Sequence, residues 1–317
     1  MHKTGDSSVL VAEEVERPRP GAGEVRVKLA ASGINFIDIY HRTGLYKVPL
    51  PFIPGQEGSG EVDVAGEGVE GFQPGDRVAW AMNTGGYAEY AVVPAWKLVY
   101  LPQGLSFTTA AAVMLQGMTA HYLSHDTYVL QPGSQALIHA AAGGTGQLLV
   151  QMAKLRGARV LAVVSSEEKA AIARRCGADE VILSGDPDWP QYARAWSGGD
   201  GLDVVYDSVG QTTFEGSLAA LKRRGLLALY GQSSGPVPPF DPGRLAAAGS
   251  LYLTRPILAN YATTAAEVQR RCTDLFSWLE QGRLQVAIAR IFPLREAAAA
   301  QDFLASRQAL GKVLLQP

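Results

Sequence analysis

Three stretches of this sequence carry residue types at spacings that fit ligand chemistry. In 135–151, QALIHAAAGGTGQLLVQ, the apolar run Ala136–Ile138 passes into a small-residue turn, Ala140 to Gly146. Leu148, Leu149, Met152, Ala153 and Leu155 then recur at helical spacing, which reads as strand, tight turn, helix. A dinucleotide pyrophosphate can approach such a turn and lie against the helix N-terminus, where unpaired N–H groups and the helix dipole favour negative charge. On the G-x-G-x-x-G frame the key positions fall at Ala141, Gly143 and Gly146, so alanine replaces the first glycine, and a turn that merely caps a helix has the same composition. The second stretch is Ser32 to Tyr46, polar and aromatic, in which Asn35 and Asp38 share a face if the chain turns helical. An Asn amide and a Tyr hydroxyl can hold a nicotinamide or orient a carbonyl without being consumed. A surface turn of helix capped by Asn35 accounts for the same residues. The third lies about 20 residues past the frame, where NAD sites place an acid on the ribose hydroxyls. Here Ser165 and Ser166 stand there, followed by Glu167, Glu168 and Lys169. Serine leaves room for a 2′-phosphate and Lys169 offers it a charge-assisted bond, whereas Glu167 opposes it; a solvated helix surface is the other reading of Lys169.

The elements around these stretches predict an α/β architecture. Strands are expected at 159–164, 180–183, 202–206, 226–230 and 250–253, with helices at 170–175 and 214–221. Apolar runs alternating with helices indicate a mainly parallel sheet covered on both faces. The N-terminal part is different: short segments at 9–11, 24–31, 60–65, 76–80 and 88–93, several alternating with period two, are broken by glycine and proline. That is the pattern of an irregular β-rich domain. Thr108 to Met118 turns helical. After about residue 257 a helix (262–282), a strand (284–287), a helix (294–304) and a strand (311–315) follow, a tail able to return to the first domain.

Composition narrows the classes of function. With 28 Lys and Arg against 30 Asp and Glu, a net charge of -2 gives no field for holding a polyanion, so no nucleic acid partner is expected. No apolar stretch approaches a membrane span and no cleavable signal pattern precedes Val9, so a cytoplasmic protein with no membrane partner is expected. Cys176 and Cys272 make no disulfide framework. The strand at 250–253 would lie at a sheet edge, where pairing with a second copy would cover it; a homodimer is expected.

Taken together, the motifs NFIDIYHRTGLY (35–46), PFIPGQEGSGEV (51–62), GDRVAW (75–80), GGYAEY (85–90), LQGMTAHYL (115–123), HAAAGGTG (139–146), GLDVVYDSVG (201–210), YGQSSGPV (230–237) and SLYLTRP (250–256) cover the chain end to end. It resembles the quinone oxidoreductases of the zinc-free, zeta-crystallin-like branch of the medium-chain dehydrogenase/reductase superfamily. The resemblance implies a GroES-like catalytic domain, 1–118 completed by 285–317, and a Rossmann nucleotide-binding domain, 119–284. It implies NADPH, delivering hydride to a quinone or an enone. By resemblance Asn35, Asp38 and Tyr46 line the cofactor and substrate cleft, with Tyr46 the first choice for a carbonyl hydrogen bond. Thr119 is placed beside the nicotinamide ribose, and Ala142, Gly143, Gly144, Thr145 and Gly146 over the pyrophosphate. Gly231 and Ser233 are assigned to the nicotinamide side, and Lys312 to a closing tail that reaches the cofactor.

Absences count as well. Where zinc-dependent relatives have a cysteine and a Gly-His-Glu stretch, this chain has Gly33-Ile34-Asn35 and Gly55-Gln56-Glu57, and no four-cysteine cluster lies between 80 and 120. No metal site is expected. Without a Lewis acid the substrate should already be activated by conjugation. The family tyrosine after the third strand is here Ser184, which weakens the 2′-phosphate pocket. Two further readings remain: a reductase of α,β-unsaturated carbonyls with the same fold and cofactor, and, from another class, a non-catalytic nucleotide- or RNA-binding protein.

Overall fold

The strand β1 (Glu24–Ile34) ends one residue before Asn35, and the computed structural model, which describes all 317 residues, accounts for that placement by the pairing of β1. After β1 come α1 (Phe36–Thr43), β2 (Glu57–Ala65), β3 (Arg77–Ala81), β4 (Tyr90–Pro94), β5 (Val99–Tyr100) and α2 (Phe107–Tyr122). The middle of the chain forms β6 (Gln135–His139), α3 (Gly144–Leu155), β7 (Arg159–Val164), α4 (Glu167–Arg175), β8 (Glu180–Leu183), α5 (Trp189–Trp196) and β9 (Leu202–Asp207). It continues through α6 (Phe214–Ala220), β10 (Leu221–Leu229), α7 (Gly243–Ala247) and β11 (Tyr252–Thr254). The tail supplies α8 (Ala265–Glu280), β12 (Ile288–Pro293), α9 (Ala297–Ala305) and β13 (Lys312–Gln316). These elements form two compact units, 1–118 with 262–317, and 119–261. The chain thus returns to the first unit at 262 rather than 285, bringing α8 with it. One reason is the apolar face of α8, where Val268, Cys272, Leu275 and Phe276 are buried and Cys272 meets Met114 of α2.

The first unit is built on one sheet in the order β12-β13-β1-β2-β3-β5, with β4 also pairing β1. Along β1 the alternation of Val25, Val27 and Leu29 with Arg26 and Lys28 puts the apolar residues into a core with Val62, Val78, Trp80 and Val93. From Ala31 the alternation stops and every residue to Ile34 is buried, because Ser32, Gly33 and Ile34 pair with Leu315, Leu314 and Val313 of β13. The expected strand at 24–31 is lengthened by that partner. The tail strand expected at 284–287 forms instead at 288–293; Leu284 is a core residue, and the carbonyl of Ala287 receives the N–H of Lys312 where β13 starts. The segment 9–11 is not a strand, since a single 3-10 turn, Ser7–Val9, is capped there by Asp6.

The second unit is a six-stranded sheet in the order β11-β10-β9-β6-β7-β8, every pairing parallel. Its core gathers Leu137, Leu161, Val163, Leu202, Val205 and Leu227 from the strands with Trp189, Phe214 and Leu218 from the helices. Each such side chain contributes about 1.5–3 kcal/mol on full burial. β10 starts five residues earlier than expected, directly after α6, and contains an irregularity at which Arg224 takes a positive φ of 57°. β11 is the sheet edge, and Tyr252 on it is 60% exposed. No helix is long and apolar enough to cross a membrane.

Candidate active site and dinucleotide turn

In the second unit β6 delivers the chain to Ala140, whose φ of 50° reverses its direction. The N–H of Gly143 returns to the carbonyl of Ala140 at 2.9 Å, and α3 starts at Gly144 with no side chain capping it. The first N–H groups of α3 are therefore available to an anion, with the positive end of the helix dipole behind them. Glycine at 146 is a steric requirement: a Cβ there would lie 2.3 Å from the Ala140 carbonyl oxygen and 2.8 Å from the Ala141 Cα. Gln147 ties the turn down by donating from Nε2 to the carbonyl of Ala142 at 2.8 Å. These features fit a dinucleotide pyrophosphate.

At the end of β7, Lys169 Nζ donates to Ser165 Oγ at 2.9 Å, so serine and ammonium are neighbours as the spacing predicts. Ser166 caps α4, and Glu167 is turned to solvent, 3.8 Å from Arg174. Ser165 also lines a cavity of 460 Å³ with Ile182, Leu183, Asp186 and Tyr192. Tyr192 had no sequence signal beyond being an aromatic residue in the short helix α5, which starts after Ser184.

Gly231 and Ser233 follow β10, but their N–H groups are taken by the neighbouring turn, Gly231 by the carbonyl of Asp207 at 3.3 Å and Ser233 by that of Ser208 at 3.2 Å. A Cβ on Gly231 would meet the Ser208 carbonyl oxygen at 2.5 Å, so this glycine serves close packing of two strand ends. Asp207 holds the turn: Oδ1 accepts from the N–H of Val209 and Gly210, and Oδ2 from the hydroxyls of Thr213 and Ser217. Ser217 also meets His139 at 3.0 Å, and burial holds His139 below its ordinary pKa while Asp207 opposes the shift. Thr119, the first residue of this unit, is buried in the last turns of α2.

In the first unit Asn35 is the N-cap residue of α1, in extended conformation, and its N–H is received by Asp38 Oδ2 at 2.9 Å. Asp38 is the expectation that changes most. It is 0% exposed, Tyr87 donates to it at 3.1 Å, and Gln301 Nε2 in turn donates to the Tyr87 oxygen. So enclosed, the carboxyl acts on the start of α1 and on the Tyr87 hydroxyl. Burial, the largest cause, pushes its pKa up to about 7 against the opposing effects of the Asn35 N–H, Lys312 and Tyr87. Lys312 changes as well: only 1% exposed, its Nζ donates to Asn35 Oδ1 at 2.7 Å and to Glu57 Oε1. Glu57, 0% exposed, accepts from Asn35 Nδ2 at 2.7 Å and from the N–H of Leu115 at 2.6 Å. The tail lysine is thus a buried partner of Asn35 and Glu57. A buried glutamate in the strand 57–65 had no sequence signal beyond its place in PGQEGSG. Tyr46 follows the left-handed Gly44 that ends α1, half-buried and edge-on to Tyr40 at 5.3 Å.

Two family models match the chain, one described as "Alcohol dehydrogenase GroES-like domain" over residues 21–103 and one as "Zinc-binding dehydrogenase" over 144–271. A quinone oxidoreductase of Pseudomonas aeruginosa is 44% identical over 315 residues, which cover 99% of this chain and 97% of that one. The crystal structure of the Escherichia coli quinone oxidoreductase complexed with NADPH superposes with a TM-score of 0.98 at 42% identity, covering 100% of this chain and 98% of that one. The chain belongs to the zinc-free quinone oxidoreductase family of the medium-chain dehydrogenases/reductases. A 2-haloacrylate reductase of a Burkholderia species is 40% identical over 326 residues, covering 100% of this chain and 98% of the relative. The first unit is accordingly GroES-like and the second Rossmann-type. Zinc does not fit the residues present. No group of three or more His, Cys, Asp or Glu side chains is placed to hold a metal ion, and the amide of Asn35 is engaged by an ammonium and a carboxylate.

Proposed function

We propose that this protein is an NADPH-dependent quinone oxidoreductase that works without a metal. The observation that carries the reading is the end-to-end likeness to the NADPH-bound Escherichia coli enzyme, joined to a turn at Ala140–Gly146 whose geometry suits a pyrophosphate. The chemistry that bound NADPH supplies is hydride donation to the acceptor. Ala142, Gly144, Thr145 and Gly146 hold the pyrophosphate through backbone N–H groups, and Gly143, whose own N–H is turned to Ala140, lets it approach the backbone closely. Ser165 and Lys169 take the 2′-phosphate, and Thr119 stands beside the nicotinamide ribose. Tyr46 and Asn35 donate to the acceptor oxygen as charge develops on it, and solvent or the Tyr46 hydroxyl supplies the proton. Asp38 positions Asn35 and α1, and Gly231 and Ser233 shape the turn at the nicotinamide end. Tyr252 and its strand form a homodimer interface. With a net charge of -2, nucleic acid is not a partner, and the protein works in the cytoplasm.

The 40% identity to a 2-haloacrylate reductase favours a second reading, reduction of an α,β-unsaturated carbonyl compound by the same cofactor. Anaerobic oxidation of NADPH and of NADH, each with 1,4-benzoquinone, 9,10-phenanthrenequinone and a simple enone, tests both. Rapid NADPH loss with a quinone is the expected result. Turnover of the enone alone selects the second reading, and tight NADPH binding with no reduction of any acceptor refutes both.

A further inference from the structure

The amide of Asn35 is held by groups that each have one part to play. Lys312 can only donate and a carboxylate at Glu57 can only accept, so Oδ1 must face the ammonium and Nδ2 the carboxylate. Gln116 Nε2 adds a longer donor to Oδ1 at 3.4 Å. An asparagine side chain has two N–H donors and two acceptor lone pairs. Three of those four are occupied, and the remaining one is an N–H. Asn35 therefore offers a ligand a donor and nothing else. It is a strengthened donor, because an ammonium at the carbonyl oxygen polarises the amide and successive hydrogen bonds reinforce one another in a low dielectric.

Burying the pair is costly, which argues for a purpose other than stability, since a well-packed apolar pair of the same volume is often at least as stable. The backbone is also shaped around it. A Cβ at Gly33 would lie 2.1 Å from Glu57 Oε1 and 2.7 Å from Lys312 Cε, so β1 carries glycine where the two side chains cross it. Leu115 then anchors the other carboxylate oxygen to α2.

We propose that Glu57 and Lys312 are positioning residues for the reduction, fixing and polarising Asn35 so that its one remaining N–H is donated to the oxygen of the bound carbonyl acceptor. The inference rests on the function proposed above. Its test compares Asn35→Ala, the paired change Glu57→Gln with Lys312→Met, and all three together; the charges are removed as a pair because either alone would strand the other. NADPH affinity is read by fluorescence titration, and single-turnover oxidation of NADPH is followed with 1,4-benzoquinone in excess. Asn35→Ala should slow the reaction about 100-fold, and the charge-pair variant by about 10- to 100-fold. NADPH affinity should change less than about threefold, and the triple variant should be no slower than Asn35→Ala, because the pair acts only through Asn35. A triple variant slowed by the product of the two factors, or NADPH affinity falling in step with rate, overturns the proposal. Should the charge-pair variant not fold, the wild-type protein labelled with 15N-asparagine decides. The chain has three asparagines, 35, 83 and 260, and Asn35→Ala assigns the signal. One Asn35 amide proton should be shifted downfield in the free protein, and only the second should move when NADP+ and hydroquinone are added; movement of neither, or of the first alone, overturns it. Wild-type protein that reduces no quinone refutes the underlying function instead.

Discussion

Substituting Gly146→Ala separates the steric role of the dinucleotide turn from its composition. The added methyl would sit 2.3 Å from the Ala140 carbonyl oxygen, 2.8 Å from the Ala141 Cα and 3.0 Å from the Ala140 carbonyl carbon, all backbone atoms that cannot swing aside. To regain an ordinary contact the turn must open by about 1 Å, an overpacking strain of about 1–3 kcal/mol. The same movement displaces the N–H groups at the start of α3 from the pyrophosphate. At about 1.4 kcal/mol per tenfold, NADPH affinity should fall by about 10- to 100-fold. Gly143→Ala is the graded control, because its Cβ meets only the Ala140 oxygen, at 3.2 Å, and φ is -76°. Gly104→Ala, with nothing within 4 Å, is the neutral one. NADPH titration by fluorescence, with urea unfolding to register the stability loss, should rank the three as 146, 143, 104. Binding by Gly146→Ala within twofold of wild type would refute the assignment of this turn to the cofactor.

Lys169→Ala should lower kcat/KM for NADPH about 10- to 100-fold and leave NADH unaffected, since only the 2′-phosphate gains a charge-assisted bond; an equal loss with both cofactors would refute the assignment. Tyr46→Phe should reduce kcat by about tenfold or more with little change in KM for NADPH, as expected for a donor acting on the acceptor oxygen; unchanged steady-state kinetics would remove Tyr46 from the reaction. Asp38 gives stability an unusual pH dependence. Its folded pKa of about 7 lies above the value of about 3.9 for an unfolded chain, so between these the folded state holds a proton that the unfolded state lacks. Its contribution therefore falls as pH rises from about 4 to about 7, by at most about 1.4 kcal/mol per pH unit, and levels off above. Urea unfolding from pH 5 to 8 should show that slope reduced in Asp38→Asn, and identical profiles would contradict the raised pKa. Tyr252→Arg should shift sedimentation toward the monomer; an unaltered mass would place the interface elsewhere.

Legibility in the sequence followed the range of the interactions. Strands β6, β7 and β9 lie in one parallel sheet, and a continuous apolar run was enough to find each of them. The turn at Ala140–Gly146 was equally clear, because steric demands within seven residues specify it. What failed depended on partners distant in the chain. β1 runs on to Ile34 because β13, nearly 300 residues later, pairs with it, and α8 joins the first unit through its contact with α2. The same distance hid the setting of Asn35. Its spacing from Asp38 suggested two side chains on one helical face, whereas Asn35 precedes the helix and Asp38 turns back to receive its N–H. Lys312 was identified as a cofactor residue on motif alone; nothing local to GKVLL states that its ammonium meets Glu57.

In each unit a buried acid fixes the chain where a strand ends. A strand ends, the chain turns at once, and a buried acid gathers the donors of that turn. In the second unit Asp207 closes β9 and holds Val209, Gly210, Thr213 and Ser217, which leaves the path from 207 to 217 little freedom. In the first unit Asp38 receives the N–H of Asn35 while Glu57 takes its amide N–H and an ammonium, so the residue following β1 is fixed in backbone and side chain alike. Such groups need no reorganisation as charge develops on a bound acceptor, which is the condition under which a hydrogen-bond donor lowers a barrier most. Asn35 meets that condition directly after β1, and the Ala140–Gly146 turn meets it directly after β6 through its own backbone bond and Gln147. Tyr46 lies on the segment after α1 rather than directly at a strand end, against the rings of Tyr40 and His41 and with a backbone bond to Tyr40, and Asn35→Ala should cost the reaction more than Tyr46→Phe.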